Sequence, residues 1–438
     1  MLSAHHPRAA SITRIALLEI SLCDTLTGNR TANIVRLIGA SGATNLADGI
    51  ASVAFPWLAT LLTRDPFLIG LVAFAGRFPW LLLSVPAGVI TDRSDRRNLI
   101  VRADVFRILL TIGVIGLILT LPSNIETQSE FDKALPYVFA LSALAFLLGC
   151  AEVVRDNAAQ TLMPSVVRPD DLERANGRLW TVETVIGRFV GPPLAGFLIA
   201  YALPAPFLLD AVAFGFAAFL AWCIVLPPRV APPKRSWRIE TMEGLRWLWE
   251  RSVLRRLALS LGVINGFGSL AATILVLVAQ ERLGLSATGF GLLLTAGAAG
   301  GVAGGLLCPA IVARLGAQRS LTLSLGIFPL PFIAMMAQDA VVVSLGLLAQ
   351  TFFGTLWNVV TVSYRQGTIH DDLLGRVNSV YRFFGWGTIS LGALLGGIVV
   401  GVGEPFLGRE AALQVPFVLA FVGTGILFLW GRRRLKIE

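Results

Sequence analysis

Residues 88–97 read Gly88-Val89-Ile90-Thr91-Asp92-Arg93-Ser94-Asp95-Arg96-Arg97, a short run that closes one long apolar stretch, 67–90, and precedes another, 99–121. Each flanking stretch reaches the ~20 residues that a helix needs to cross a hydrocarbon layer. The charged run between them therefore reads as a tight loop at a membrane surface. The same alternation recurs along the whole chain. Apolar runs fall at about 36–62, 67–90, 99–121, 134–155, 179–201 and 206–227, then at 257–280, 287–313, 319–338, 340–364, 377–402 and 411–431. Of 438 residues only 14% are charged and 55% are hydrophobic, with mean hydropathy +0.73. A soluble domain carries ~25% charged residues. The pattern predicts an all-α membrane protein of twelve transmembrane helices.

A net charge of +9 would suit a nucleic-acid binder, but its placement argues against one. Lys and Arg crowd alternate loops, and only Arg64, Lys133, Arg282 and Arg409 fall in the intervening ones. This asymmetry orients a protein in a bilayer. It predicts both termini in the cytoplasm and residence in the cell (inner or plasma) membrane, with no nucleic-acid partner. No cleavable leader is evident, because the early apolar stretch Ile15 to Leu22 is short and carries Glu19.

Cys23, Cys150, Cys223 and Cys308 are widely spaced, and His5, His6 and His370 lie in the N-terminal tail and a loop. Neither set has metal-ligand spacing, so no metal and no cofactor is expected. The glycine-rich segment Gly297 to Gly305 lies within an apolar run, not after a strand, and no phosphate loop is present. An ATP-driven mechanism would need a partner protein.

The longest non-apolar segment, 228–256, begins with Pro228, Pro232 and Pro233 and carries eight Lys and Arg. It predicts a linker with an amphipathic surface helix at Glu240 to Trp249. The chain is thereby divided into a cytoplasmic extension at 1–34, a six-helix bundle at 35–227, the linker at 228–256, a second bundle at 257–431 and a tail at 432–438. Comparison of the halves supports duplication. At an offset of 221 residues Ile69-Gly70-Leu71 meets Phe290-Gly291-Leu292, and Arg93 meets Arg314. At an offset of 202, Asp170, Leu172, Arg174 and Asn176 meet Asp372, Leu374, Arg376 and Asn378. Parallel repeats of this kind place a substrate cavity between the halves, near mid-membrane.

The loop Gly88, Asp92, Arg93, Asp95, Arg96 and Arg97 resembles the signature loop of the major facilitator superfamily. Asp95 stands where the general pattern has Gly, which resembles the enterobactin-exporter-like and macrolide-efflux-like branch. Arg77-Phe78-Pro79, Leu209-Asp210 and Leu374-Gly375-Arg376-Val377-Asn378 are similar to that branch as well. In the fifth span, Gly187-Arg188-Phe189-Val190-Gly191-Pro192-Pro193-Leu194-Ala195-Gly196 resembles the motif of proton-coupled exporters in the superfamily. The resemblance covers about 35–431 and implies the major facilitator fold, with two pseudo-symmetric six-helix bundles. It also implies a gating loop that includes Arg376, and drug:proton antiport. On physical grounds Gly88 would permit close helix approach, and the arginines would bind carboxylates and lipid headgroups.

An ionisable group at mid-membrane costs at least ~2.5–3.5 kcal/mol by insertion scales, so each needs a partner, water or a task. Asp48 and Arg77 both fall near the middle of their spans and are expected to pair across adjacent helices. Asp48 is the proton-coupling candidate, with a fixed ion pair as the alternative. Glu183, Arg188, Glu152, Arg155, Asp156 and Arg382 are secondary candidates near the cytoplasmic side. Asp104 and Arg107 read as a local pair, and Asp210 as a group within reach of outside water. Asn45, Asn265 and Trp357 are cavity candidates, with helix packing as the alternative for each.

The expected function is proton-coupled export of a small amphipathic molecule such as a siderophore, macrolide or other drug, by a monomer that is not an enzyme. The expected partners are the lipid bilayer, the small-molecule substrate and protons. A metabolite importer or uniporter on the same fold, or a non-transporting membrane sensor, remains as an alternative.

Overall fold

Long apolar runs punctuated by capping residues become long helices. In the computed structural model, which describes residues 8–121, 128–167, 171–226, 237–369 and 371–437, no strand occurs among the described residues. The first half comprises α1 (Arg8–Leu62), α2 (Pro66–Arg93), α3 (Arg96–Leu119), α4 (Gln128–Val166), α5 (Leu172–Thr184), a π-helical turn (Val185–Val190), α6 (Gly191–Tyr201) and α7 (Ala205–Trp222). After α8 (Trp237–Glu250) come α9 (Ser252–Glu281), α10 (Ala287–Leu315), α11 (Ala317–Ile327), α12 (Leu330–Ala334), α13 (Ala340–Thr368), α14 (Asp371–Leu407), α15 (Arg409–Ala412) and α16 (Val415–Arg434).

Local chemistry explains the sharp turns. Asp65 precedes α2 and accepts the Phe67 N–H at 2.8 Å, while Pro66 occupies the first turn, where its missing N–H is harmless. Asp339 accepts the N–H groups of Val341 and Val342 at the start of α13. Gly316 joins α10 to α11 at φ +80°, a conformation that a side chain would strain.

Among the described residues, ten helices are long and apolar enough to cross a membrane. Two of the twelve expected spans miss that standard for identifiable reasons. Every membrane-length window of α3 contains Arg102, Asp104 and Arg107, and the expected span 319–338 is broken into α11 and α12 around Pro329. The fifth span is likewise interrupted, by the π turn. Residues 8–34, expected as a separate extension, continue the first span as one helix. The expected amphipathic helix is α8, whose Leu248 is buried in the core of the second half. The prolines that introduce it lie outside the described residues.

α1 and α16 place the chain ends on one side, here the terminal face; the opposite side is the far face. Toward the far face a single hydrophobic core includes Leu58, Ile69 and Phe207 from the first half and Ile274, Phe290 and Phe417 from the second. Toward the terminal face the cores are separate, one around Leu37, Ile100 and Leu162, the other around Leu257, Trp357 and Val377. The halves thus share one core at the far end and have separate cores toward the terminal end, where they still meet through Trp80 of α2 stacked on Trp386 of α14 at 4.6 Å between centroids. Large apolar side chains such as Leu109, Leu119, Val212, Leu306 and Phe406 are more than half exposed, as a lipid-facing girdle requires.

Glycines fuse the two halves. A Cβ on Gly196 of α6 would lie 2.6 Å from the Thr288 Cα of α10, and one on Gly70 of α2 would lie 3.1 Å from the Gly397 Cα of α14. Gly291 of α10 packs in turn on the Pro192 carbonyl. The pairs α6/α10 and α2/α14 are therefore equivalent contacts of a pseudo-two-fold arrangement, and the aligned Gly70 and Gly291 occupy corresponding places in it. Gly196→Val is expected to lower the melting temperature, because overpacking costs about 1–3 kcal/mol or more where the neighbour is backbone. An unchanged melt in detergent would contradict this contact.

Candidate functional site

Mid-membrane charge calls for a local partner, and Asp48 has one. Asp48 of α1 accepts a hydrogen bond from Arg107 of α3, whose guanidinium also lies 4.0 Å from the Phe214 ring centroid on α7. The Arg107 side chain is 4% exposed and that of Asp48 29%, so the carboxylate is the accessible member of the pair. One turn toward the terminal face, Arg155 of α4 lies 3.7 Å from Asp104 of α3 and 3.3 Å from Asp156. Asp104 and Arg155 are fully buried.

Beside this layer a cavity of about 60 Å³ is lined by Asn45, Arg155, Asp156, Gln160, Leu179 and Glu183. It has room for a few waters at ~10–15 Å³ each. Small-molecule sites measure ~300–1,000 Å³, so this cavity suits water and protons and is too small for cargo.

The tertiary arrangement corrects several sequence expectations. Asp48 pairs with Arg107, not with Arg77, which is exposed on α2. Asp104 and Arg107 do not pair with each other. Their spacing on one helix aims them at different neighbours, α4 and α1. Asp210 is 3% exposed, so packing withdraws it from water despite its place near a helix end. Trp357 is 2% exposed in the terminal-side core, which removes it from the cavity candidates. Asn265 donates to the Gly385 carbonyl at 3.1 Å and so ties α9 to α14. Asn45 and Glu183 do line the cavity. Arg188 is exposed at the π turn, near mid-membrane. The significance of Asp104 and Phe214 for the site could not be read from their spacing, because their partners lie on other helices.

The residues of the charged loop act as helix-end fasteners. Asp95 caps α3 by accepting the Asn98 N–H at 2.9 Å. Arg96 donates to the Thr161 carbonyl near the end of α4, and Arg97 to the Ile224 carbonyl just past α7 at 3.3 Å. Ile224 lies just past the C-terminus of α7, where carbonyls carry partial negative charge, which explains why it attracts Arg97. Nothing lies within 4 Å of where a Gly88 Cβ would stand, so the expected close approach there is absent, and Arg93 is exposed. The side chains of Asp92, Arg376 and Arg382 lie outside the described residues.

The glycine motif of the fifth span is a packing device. A Cβ on Gly191 would lie 2.7 Å from the Gly49 Cα, and one on Gly187 3.1 Å from the Asn45 carbonyl oxygen. Small residues let the π turn and α6 press against α1 beside Asp48. At the far face polar side chains bridge the halves. Gln280 of α9 donates to Thr60 Oγ1 of α1 at 2.8 Å, Arg64 donates to Gln280, and Arg409, held within its own half by Glu281 and Glu404, donates to the Arg64 carbonyl at 2.9 Å.

Known proteins share this plan. A solved structure of the nucleoside transporter NupG covers 92% of this chain and 100% of its own, with TM-score 0.71 at 13% identity, which establishes the common fold. The staphyloferrin A transporter of Staphylococcus aureus is 23% identical over 90% of this chain and 95% of its own length. The multidrug efflux pump Tap of Mycolicibacterium fortuitum is 24% identical over 94% and 99%. The family described as transmembrane secretion effector matches residues 30–427. With that match across both halves, and with the fold just described, this chain belongs to the transmembrane secretion effector family of major facilitator transporters.

Proposed function

We propose that the protein is a secondary active exporter that moves a small amphipathic molecule, a siderophore or a drug, outward in exchange for protons. It works by alternating access and acts as a monomer in the cell membrane. The terminal face is cytoplasmic, in keeping with the Lys and Arg asymmetry of the loops. The segments 35–227 and 257–431 are its two moving units, joined by 228–256. The observation that carries this reading is the accessible carboxylate of Asp48, held at mid-membrane by a buried Arg107 beside a water-sized cavity. Protonation of Asp48 would release Arg107, and that local change gives the transport cycle its proton-dependent step.

Cargo binds between the halves, a placement supported by the separate cores that the two halves keep toward the terminal face. Arg77 and Arg188, exposed near mid-membrane on α2 and the π turn, offer cationic contacts to acidic groups of the cargo. The siderophore and drug relatives define the panel to be tested. In inverted vesicles, siderophores and drugs are offered with and without a proton gradient. At least one is expected to accumulate only with the gradient. Asp48→Asn is nearly isosteric and adds no bulk beside α3, so it should fold while losing gradient-driven accumulation. Undiminished accumulation by that variant would defeat the assignment of Asp48, and absence of gradient dependence across the panel would defeat antiport itself.

A further inference from the structure

Asp210 of α7 is 3% exposed, and its Oδ1 has no hydrogen-bond partner among protein atoms. A buried carboxylate without a partner is among the most costly groups a protein can hold, and in practice it keeps its proton. The elements packed on α7 are α3, α1 and α6. The charged groups they turn toward Asp210 are Arg107 from α3 and Asp48 from α1. α6 supplies only Tyr201, which is 88% exposed. Phe214, one helical turn from Asp210, carries the Arg107 guanidinium on its ring, in an apolar setting completed by Ala47, Ala213 and Ile108. Arg107 uses one nitrogen on Asp48, and its Nε and second terminal nitrogen carry no hydrogen-bond partner. Asp210 therefore shares the neighbourhood of an arginine with unused donors, which Asp48 engages through one nitrogen and which Glu152 of α4 and Asp104 of α3 also face.

We propose that Asp210 is the second proton-carrying carboxyl of the transporter and the alternate partner of Arg107, an inference that rests on the proton-antiport reading of Asp48. In the conformation described, Asp48 is ionised on Arg107 and Asp210 holds a proton. In the complementary state the Asp210 O–H bond breaks and an O–H bond forms on Asp48, with water carrying the proton between them. Arg107 then moves along the Phe214 ring to the new Asp210 carboxylate. In each of the two states Arg107 faces one carboxylate while the other carboxyl is protonated, so neither strands an unpaired ion. The cycle resets when Asp210 takes up a proton from the far face and Arg107 returns to Asp48 as the Asp48 proton leaves toward the terminal face.

Geometry favours that direction. Asp210 lies five residues into α7, or ~7.5 Å below its far-face end at 1.5 Å per residue. Phe207 stands between it and that end, buried and met edge-on by Phe55 of α1 at 5.6 Å between centroids. This aromatic pair closes the far-face route in the state described, while Asp48 remains accessible.

Infrared difference spectroscopy of the purified protein in lipid tests the relay without any cargo. Wild type minus Asp210→Asn should reveal one protonated-carboxyl C=O band that shifts in deuterium oxide, and Asp210→Glu should move this band without abolishing it. In Asp48→Asn the same band should disappear, because Arg107 loses its carboxylate and takes Asp210 as an ionised partner. Persistence of the band in Asp210→Asn, or its survival in Asp48→Asn, would overturn the proposal; the latter would leave Asp210 a protonated packing residue. Since these spectra need no substrate, a failed relay is distinguishable from a failed antiport reading, which the vesicle panel decides.

Discussion

Arg155→Met is expected to destabilise the folded protein by about 3–5 kcal/mol, because it leaves Asp104 buried beside α4 without its ion partner. Asp104 and Arg155 are 0% and 1% exposed, and neither can recover solvation by a small rearrangement. Asp104→Leu should do comparable damage by stranding Arg155, with Asp156 as its remaining partner. The double variant Asp104→Leu/Arg155→Met removes both charges and should regain most of the lost stability. A double-mutant cycle read from thermal unfolding in detergent measures the coupling directly. Additive losses would mean that the two groups do not depend on each other. Transport is not expected to return with stability, because Arg155 also lines the water-sized cavity.

Thr60→Cys/Gln280→Cys, made after replacement of the native cysteines, is expected to abolish transport on oxidation and to restore it on reduction. The two side chains already touch across the halves at 2.8 Å, and the halves must separate there when the far face opens. The native fastening is weak enough to break in each cycle. The ion pair that crosses between the halves here, Arg64 with Glu281 at 3.9 Å, has its arginine about half exposed, and ion pairs of this kind contribute ~0–1 kcal/mol each. The far-face network can therefore favour closure without locking it, whereas a covalent bond would lock it. Full transport by the oxidised protein would show that the far face does not open between Thr60 and Gln280.

The contrast between these two sites shows how far the sequence could be read. Spans, crossing order and duplication were legible because burial in lipid constrains composition residue by residue, and Gly70 and Gly291 proved to occupy equivalent contacts. Asp48 was recognisable as a site residue because a charge at mid-membrane stands out against its apolar run. Its partner was not recognisable. Arg77 and Arg107 are equally conspicuous in sequence, and only the rotation of α3 against α1 and α7 selects Arg107. The same limit explains the misreadings of Asp210 and Gly88. Depth along a helix can be counted in residues, but exposure depends on what packs against the helix, which closes over Asp210 and leaves Gly88 without a close neighbour.

The sequence by itself determined that the chain crosses a membrane many times in two related halves, because hydrophobic length and loop charge are properties of contiguous residues. Tertiary structure alone decided which acid meets which arginine, where the halves share a core and where they keep separate ones. Those outcomes depend on helix rotation and on packing between residues far apart in the chain, such as Asp48 with Arg107 and Thr60 with Gln280.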